Sequence, residues 1–195
     1  MSAGRPLEYE PDVALDATMQ AFWRRGYEGT SMRDLLDATG LSKSSFYQAF
    51  NSKHEAFQRA LSHYCDNVTS NLRSRLRAGG SGWEFIESVL MGAAEEVLSS
   101  KDPRGCMIVN VATEFSARDP RIRELIGDGA KRVTQVFVAA VKQAQSEGTI
   151  PADKDPNVLG RYLLSSLSGL RTMVKAGTSH RAMAEIVGVI MSALK

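Results

Sequence analysis

The side chains best suited to chemistry in this sequence are hydrogen-bonding groups gathered in the stretch GLSKSSFYQAFNSK, residues 40–53. On a helix, Ser44 and Gln48 lie one turn apart, and Ser45 and Tyr47 flank them. Serine can hydrogen-bond to either class of base pair, glutamine can bond adenine bidentately, and tyrosine can reach a phosphate. The stretch therefore carries the groups of a surface that reads DNA, and a solvated helix face is the alternative.

A helix of barely two turns has to present these groups, and such a helix is marginal in water by itself. Its opposite side carries Phe46, Ala49 and Phe50 at i, i+3 and i+4, which forms an apolar stripe that can pack on other helices. Ser42 is a natural N-cap, and Lys43 follows in the first turn. We therefore predict a helix that is anchored by one face and polar on the other.

Capping residues predict the helices on either side of this stretch. In TSMRDLLDATG, Ser31 can cap a short helix, with Asp34 in the position of a capping-box partner. An earlier helix is predicted to begin at a capping Asp12. Downstream, Ser52 and Glu55 predict a capping box for a long helix that ends at two glycines. Three helices and the start of a fourth are thus predicted within the first sixty or so residues.

The two short helices are joined by little more than Gly40-Leu41, which is the layout of a helix-turn-helix whose second helix enters the major groove. An ordinary helical hairpin is the alternative, and spacing alone does not decide between them. Residues 12–60, however, resemble the DNA-binding domain of the TetR family of bacterial transcriptional regulators. The matching elements are Gly26-Tyr27, Thr30-Ser31, Gly40-Leu41-Ser42, Phe46-Tyr47 and Ser52-Lys53-His54-Glu55.

The layout and the resemblance together predict which side chains contact DNA. The predicted set is Thr30, Ser31, Arg33, Ser42, Lys43, Ser44, Ser45, Tyr47, Gln48 and Lys53. The pair Gln48-Ala49 departs from the family's usual polar or aromatic pair at this place. That departure leaves the operator sequence open but does not affect the expected fold.

Composition favours a globular protein, with 43% hydrophobic and 7% aromatic residues. No apolar run is long enough to span a membrane, and the first ten residues lack the apolar core of a signal peptide, so we expect a cytoplasmic protein. Cys65 and Cys106 match no metal-ligand spacing and suggest no disulfide framework. No grouping of a catalytic nucleophile, base and acid is evident, and no cofactor or metal is expected.

Charge gives only local support for DNA binding, because the net charge is +2 and the first 63 residues hold seven Lys/Arg against eight Asp/Glu. Residues 38–54, however, contain no acid. Residues 156–184 are also acid-free without a DNA-binding motif, so such a run counts only where a motif already points to DNA. Arg5 could enter a minor groove, although a terminus that contacts nothing is the alternative.

The rest of the chain is helical throughout, without any alternating strand pattern. The prediction is an all-α protein of about nine helices. Residues 6–66 form a TetR-type helix-turn-helix domain with the motif at about 29–48, and residues 67–195 form a larger ligand-binding and dimerisation domain.

The last two helices, about residues 157–175 and 179–194, carry more apolar surface than one partner helix would cover. An internal core is one explanation. Resemblance to the family favours pairing with the same helices of a second copy as a four-helix bundle, so that a homodimer reads an inverted repeat in double-stranded DNA. The predicted interface residues are Leu163, Leu167, Leu170, Met183, Ile186 and Ile190.

The segment RGCMIVN is similar to one in a NemR-like subset of TetR-family repressors that respond to electrophiles through a cysteine. Cys106 follows Arg104 at the predicted start of a helix, where a cation and the positive helix end favour a thiolate. Asn110 lies one turn further and could offer a hydrogen bond to a ligand. Inert packing of Cys106 among its apolar neighbours is the alternative.

These observations predict a sequence-specific transcriptional regulator, most simply a homodimeric repressor released from its operator by an unidentified small-molecule inducer. One alternative is an electrophile-responsive repressor that switches through Cys106. Another, from a different class, is an all-helical enzyme or carrier, which the lack of a catalytic grouping disfavours. An activator, or a regulator without a ligand, stays open at this level.

Overall fold

The structure, a computed structural model, describes residues 10–99, 103–115 and 119–195, so Arg5 lies outside the described residues. Within these ranges the chain forms helices and no β-strand, which confirms the predicted all-α class. The helices are α1 (Pro11–Arg25), α2 (Met32–Thr39), α3 (Lys43–Phe50), α4 (Lys53–Arg77), α5 (Gly82–Ser99), α6 (Met107–Phe115), α7 (Pro120–Ser146), α8 (Pro156–Lys175) and α9 (His180–Ser192). No helix among the described residues is long and apolar enough to cross a membrane.

The chain divides into two compact units, residues 1–65 and 66–195, and the division falls inside α4. The N-terminal unit therefore holds α1, α2, α3 and the first half of α4. The C-terminal unit holds the second half of α4 and the remaining helices.

Aromatic side chains form the core of the N-terminal unit. Phe22 of α1 meets the ring of Phe57 on α4 edge to face, with ring centroids 5.0 Å apart. Phe46 and Phe50 of α3 lie 4.8 Å apart and are buried. Leu35 of α2 is also fully buried. Each helix thus buries one or two large apolar side chains, which stabilises helices too short to be stable alone.

The first helix begins differently from the prediction. Asp12 was predicted as its N-cap, but α1 starts at Pro11, and Glu10 takes the N-cap position without a side-chain hydrogen bond. Proline suits the first helical position because its φ angle is already helical and its missing N–H would have no partner there. Asp12 instead places a negative charge in the first turn, near the positive end of the helix.

Helix α7 lies at the centre of the C-terminal unit and packs against α5, α6 and α8. Two glycines allow close crossings with it. A Cβ at Gly82 would lie 2.3 Å from the carbonyl oxygen of Ala140, and one at Gly160 would lie 2.6 Å from a methyl group of Val138. The helices α5 and α8 therefore approach α7 more closely than any larger side chain would permit.

Candidate nucleic-acid interface

The turn between α2 and α3 is set by a glycine and a serine. Gly40 has a φ of 67°, a left-handed conformation that favours glycine, and its N–H donates to the carbonyl of Leu36 at 2.9 Å. Two residues later the Ser42 hydroxyl accepts from the N–H of Ser45 at 3.1 Å, which caps α3. The helix-turn-helix layout predicted from the sequence is thus built by one helix stop and one helix start.

The start of α2 is fixed by a full capping box. The Asp34 N–H donates to the Ser31 hydroxyl at 3.1 Å, and the Ser31 N–H donates to the Asp34 carboxylate at 2.8 Å. The Ser31 hydroxyl and N–H, together with the guanidinium of Arg25, lower the pKa of Asp34 from 3.8 to about 2. Arg25 lies at the end of α1 and pairs with this carboxylate, so it joins α1 to α2.

Helix α3 is held by its buried apolar face and by contacts at its C-terminal end. Phe46 and Phe50 are buried, and Ala49 is half-buried, as the stripe predicted. Arg59 of α4 donates to the Ala49 carbonyl at 2.6 Å, and its guanidinium lies 4.9 Å from the centre of the Phe50 ring. Arg59 was not singled out in the sequence, because an exposed arginine ten residues downstream gives no pattern that links it to α3.

The outer face of α3 is polar and exposed at Ser42, Lys43, Ser44, Tyr47 and Gln48. The Ser42 hydroxyl lies 2.9 Å from that of Ser44 and 2.8 Å from that of Ser45, so the three serines share one hydrogen-bonded cluster. Within the described part of the chain, neither Lys43 nor Gln48 has a hydrogen-bond or ion-pair partner. The two longest polar side chains of this face are therefore available to a ligand.

Thr30 was predicted to contact DNA, and the structure contradicts this. The residue is 0% exposed, and its hydroxyl donates to the carbonyl of Gly26 at 2.6 Å. Thr30 closes the turn between α1 and α2. Ser31 remains on the surface, but its hydroxyl is engaged with Asp34.

Arg33 and Lys53 complete the predicted set, and both carry cationic groups at the surface of this unit. The side chain of Arg33 is 91% exposed and lies 3.8 Å from Asp37. Lys53, the first residue of α4, holds its ammonium 4.2 Å from the centre of the Tyr27 ring. Tyr27 is in turn packed against Phe57, with centroids 5.0 Å apart. The aromatic platform under Lys53 is a feature that sequence reasoning missed, although Tyr27 belongs to the motif that carried the resemblance.

Five of the six residues predicted for the dimer interface lie in the chain's own core, and only Ile186 is exposed, at 38%. The buried five are Leu163, Leu167, Leu170, Met183 and Ile190. Leu163 and Met183 are 0% exposed, so they cannot meet a second copy. The exposed apolar residues of α8 and α9 are instead Val158, Met173, Ile186 and Val189.

Cys106 is half-buried and immediately precedes α6, where its carbonyl accepts from the Asn110 N–H at 3.0 Å. The Asn110 side chain, predicted to face a ligand, donates its amide to the carbonyl of Arg104 at 2.9 Å. That hydrogen bond closes the loop before α6, so the amide donor of Asn110 serves the fold. Gly105, with φ of 68°, lies against Arg171 and Lys175 of α8.

Comparisons with known proteins agree with this arrangement. Residues 14–60 match the model for bacterial regulatory proteins of the tetR family, and residues 83–190 match the model for the tetracyclin repressor-like C-terminal domain. The HTH-type transcriptional repressor ComR of Escherichia coli (strain K12) is 28% identical over 191 residues, which cover 97% of this chain and 91% of ComR.

Two solved structures extend the comparison to the fold. A cysteine mutant of the TetR family transcriptional regulator CifR, complexed with a 26 bp double-strand operator DNA, superposes with a TM-score of 0.83 at 27% identity, covering 98% of this chain and 100% of that one. The reduced form of NemR from E. coli superposes with a TM-score of 0.83 at 19% identity, covering 92% of this chain and 94% of that one. At that identity the likeness shows the fold alone, and the NemR-like subset stays a prediction.

The two family models lie on the two compact units, and the N-terminal match includes the whole helix-turn-helix. The relatives are transcriptional regulators and not enzymes, which removes the all-helical enzyme from consideration. The chain therefore belongs to the TetR family of bacterial transcriptional regulators.

Proposed function

We propose that this protein is a homodimeric repressor that binds an inverted-repeat operator through α3 and leaves it when a small-molecule inducer binds. The observation that carries the proposal is the exposed polar face of α3, on which Gln48 and Lys43 have no partner among the described residues. In this proposal, residues 6–66 bind DNA, and residues 67–195 bind the inducer and dimerise.

Operator recognition is divided among the residues of this interface. Gln48 and Ser44 read base edges, because they are the exposed polar groups one turn apart on α3. Lys43, Tyr47, Arg33 and Lys53 contact phosphates, and the packing of Lys53 on Tyr27 orients its ammonium. Ser31, Ser42 and Ser45 hold the helix starts through capping hydrogen bonds, and we assign them phosphate contacts because they lie at helix N-termini. Thr30, which is buried, is not assigned a contact with DNA.

Dimerisation is assigned to the exposed side of α8 and α9. Val158 and Met173 of α8 and Ile186 and Val189 of α9 are large apolar side chains without cover in the single chain. A Cβ at Gly169 or at Gly188 would have no neighbouring atom within 4 Å, so a second pair of helices could approach closely there. A two-fold axis at this surface would set two copies of α3 to read half-sites about 34–36 Å apart.

Release by an inducer follows from linkage. A molecule that binds more tightly to a dimer with the wrong spacing of its α3 helices lowers the affinity of the protein for its operator. Because this coupling is reciprocal, DNA lowers the affinity of the protein for that molecule by the same factor. The names of relatives such as ComR support repression as the direction of control.

The test is operator binding by three variants. DNA fragments selected from random oligonucleotides by the wild-type protein would serve as the probe in fluorescence anisotropy titrations. Gln48→Ala should lose about 1–3 kcal/mol on the selected sequence and discriminate less against its variants. Gln135→Ala makes the same truncation at an exposed site on α7 and should bind like the wild type.

Lys53→Ala separates phosphate contacts from base reading. It should weaken binding to all sequences alike and reduce the slope of affinity against salt by about one. Binding by Gln48→Ala and Lys53→Ala that equals the wild type at every sequence and salt concentration would refute the interface.

A second candidate, an electrophile-responsive repressor, is favoured by the position of Cys106. The thiol is half-buried at the start of α6, and the preceding glycine lies against Lys175, whereas Cys65 is buried in the N-terminal unit. N-ethylmaleimide added to repressor–operator complexes should release the wild type and Cys65→Ser but leave Cys106→Ser bound. Equal release of all three, or of none, would assign the switch to an ordinary reversible ligand.

A further inference from the structure

A groove lies between the second half of α4 and α7, within the C-terminal unit. Its volume is about 210 Å³, and it is lined by Arg73, Leu76, Arg77, Gln135, Val136 and Ala139. Leu76, Val136 and Ala139 make an apolar floor, and the two arginines and the glutamine make a polar rim. We call it the α4–α7 groove.

The charged residues in the segments of α4 and α7 that form the α4–α7 groove are all positive. Residues 67–77 of α4 and 129–146 of α7 contain no acid. Within the described part of the chain, neither Arg73 nor Arg77 pairs with a carboxylate, and Arg77 uses only its Nε to donate to the Arg73 carbonyl at 3.3 Å.

Neighbouring arginines on the same two helices are engaged. Arg132 pairs with Asp66 at 2.5 Å, and Arg75 donates to the Ser88 hydroxyl at 3.1 Å. The pair in the groove differs from these two arginines, because no described side chain accepts a hydrogen bond from Arg73 or Arg77.

We propose that the α4–α7 groove binds a small amphipathic molecule with a carboxylate head group. The carboxylate accepts hydrogen bonds from Arg73 and Arg77, whose planar guanidinium groups match its two oxygens. The apolar body lies on Leu76, Val136 and Ala139. This site is separate from the loop that carries Cys106; it rests on the proposed function, which assigns ligand binding to residues 67–195, and its ligand can be tested without DNA.

Octanoate is a suitable probe, and isothermal titration calorimetry of the full chain without DNA is a suitable measurement. Octanoate should bind with one site per chain, and 1-octanol, which has the same number of carbons but no charge, should bind at least about tenfold more weakly. Arg73→Gln and Arg77→Gln should each weaken octanoate about tenfold or more. Arg75→Gln removes a charge between the two and should leave the affinity unchanged, because Arg75 faces Ser88.

Equal binding of octanoate and 1-octanol, an Arg75→Gln effect as large as that of Arg73→Gln, or no octanoate binding at millimolar concentration would each overturn the proposal. These results do not involve the operator, so they are distinguishable from a failure of the proposed repressor function.

Discussion

Asp34 connects three parts of the N-terminal unit through one carboxylate. It accepts from the Ser31 N–H and hydroxyl at the start of α2 and from Arg25 at the end of α1. These partners act on the ionised form, which is why they lower its pKa. The same residue therefore caps one helix and joins it to another.

The first prediction is a pH-dependent loss of stability on Asp34→Asn. Because the folded pKa is about 2 and the ordinary value is 3.8, the carboxylate stabilises the fold above pH 4 and loses that effect as the pH falls toward 2. Denaturant unfolding should show the variant less stable than the wild type at pH 7, with the difference clearly smaller at pH 2.5 and lost only below the folded pKa. Asp37→Asn, on the exposed face of the same helix, is the control and should change stability little at pH 7. A difference for Asp34→Asn that persists unchanged at pH 2.5 would contradict the assignment.

The second prediction separates the fold from recognition at Thr30. Thr30→Val keeps the shape of the side chain but removes its hydrogen bond to Gly26, so the protein should lose about 1 kcal/mol of unfolding free energy. Operator affinity of the folded variant should equal that of the wild type. A clear fall in affinity under conditions where the variant is fully folded would restore Thr30 to the DNA contacts.

At the scale of the helix, close crossings depend on single glycines. Gly160→Ala would bring a methyl group within 2.6 Å of Val138, so α8 must shift away from α7. We predict a loss of about 1–3 kcal/mol of unfolding free energy, measured by denaturant titration. Gly127→Ala, in the interior of α7 with nothing within 4 Å, should be neutral or stabilising by up to about 1 kcal/mol. An equal change in stability for both substitutions would contradict the role of the close crossing at Gly160.

Capping residues made both ends of α2 and the start of α3 predictable from the sequence. Ser31, Gly40 and Ser42 act locally, through hydrogen bonds and φ angles within a few residues, so the sequence is enough to place them. At Ser52 only half of the predicted capping box forms: the Glu55 N–H donates to the Ser52 hydroxyl, but the Ser52 N–H donates to the Phe50 carbonyl at 2.6 Å and Glu55 accepts from Asn51. The Ser52 N–H has a backbone acceptor in the turn that ends α3, and sequence spacing does not reveal it.

The dimer surface was not predictable to the residue for a different reason. Apolar periodicity marks positions such as Leu163 and Met183 as inward-facing on their helices, but it does not tell a core within one chain from an interface between two. The interface prediction took the most regular apolar positions, which the chain buries for itself. Arg59 was missed because its hydrogen bond joins α4 to the carbonyl of Ala49 on α3, which no local pattern records.

At the scale of the whole molecule, assembly is testable with two matched surface changes. Val189 of α9 and Leu98 of α5 are 68% and 71% exposed, so a lysine at either position is tolerated by the single chain. Val189→Lys should place a charge inside the proposed dimer surface and shift the mass in solution from twice 21.3 kDa toward 21.3 kDa. Leu98→Lys should remain dimeric. The check is light scattering after size exclusion at micromolar concentration, and a wild-type monomer there would refute the proposed dimer.

Different residues of α3 hold the helix in place and face outward, which has a consequence for how the DNA sequence preference of such a protein can change in evolution. Phe46 and Phe50 hold the helix, Ser42 starts it, and the outward residues Ser44 and Gln48 contribute little to its packing. Exchanges at outward positions of this kind usually change stability by less than about 0.5 kcal/mol. A duplicated copy of the gene could therefore explore new target sequences through Ser44 and Gln48 alone, without first acquiring compensating substitutions in the interior. Selection on binding preference and selection on foldability would act on different residues of the same eight-residue helix.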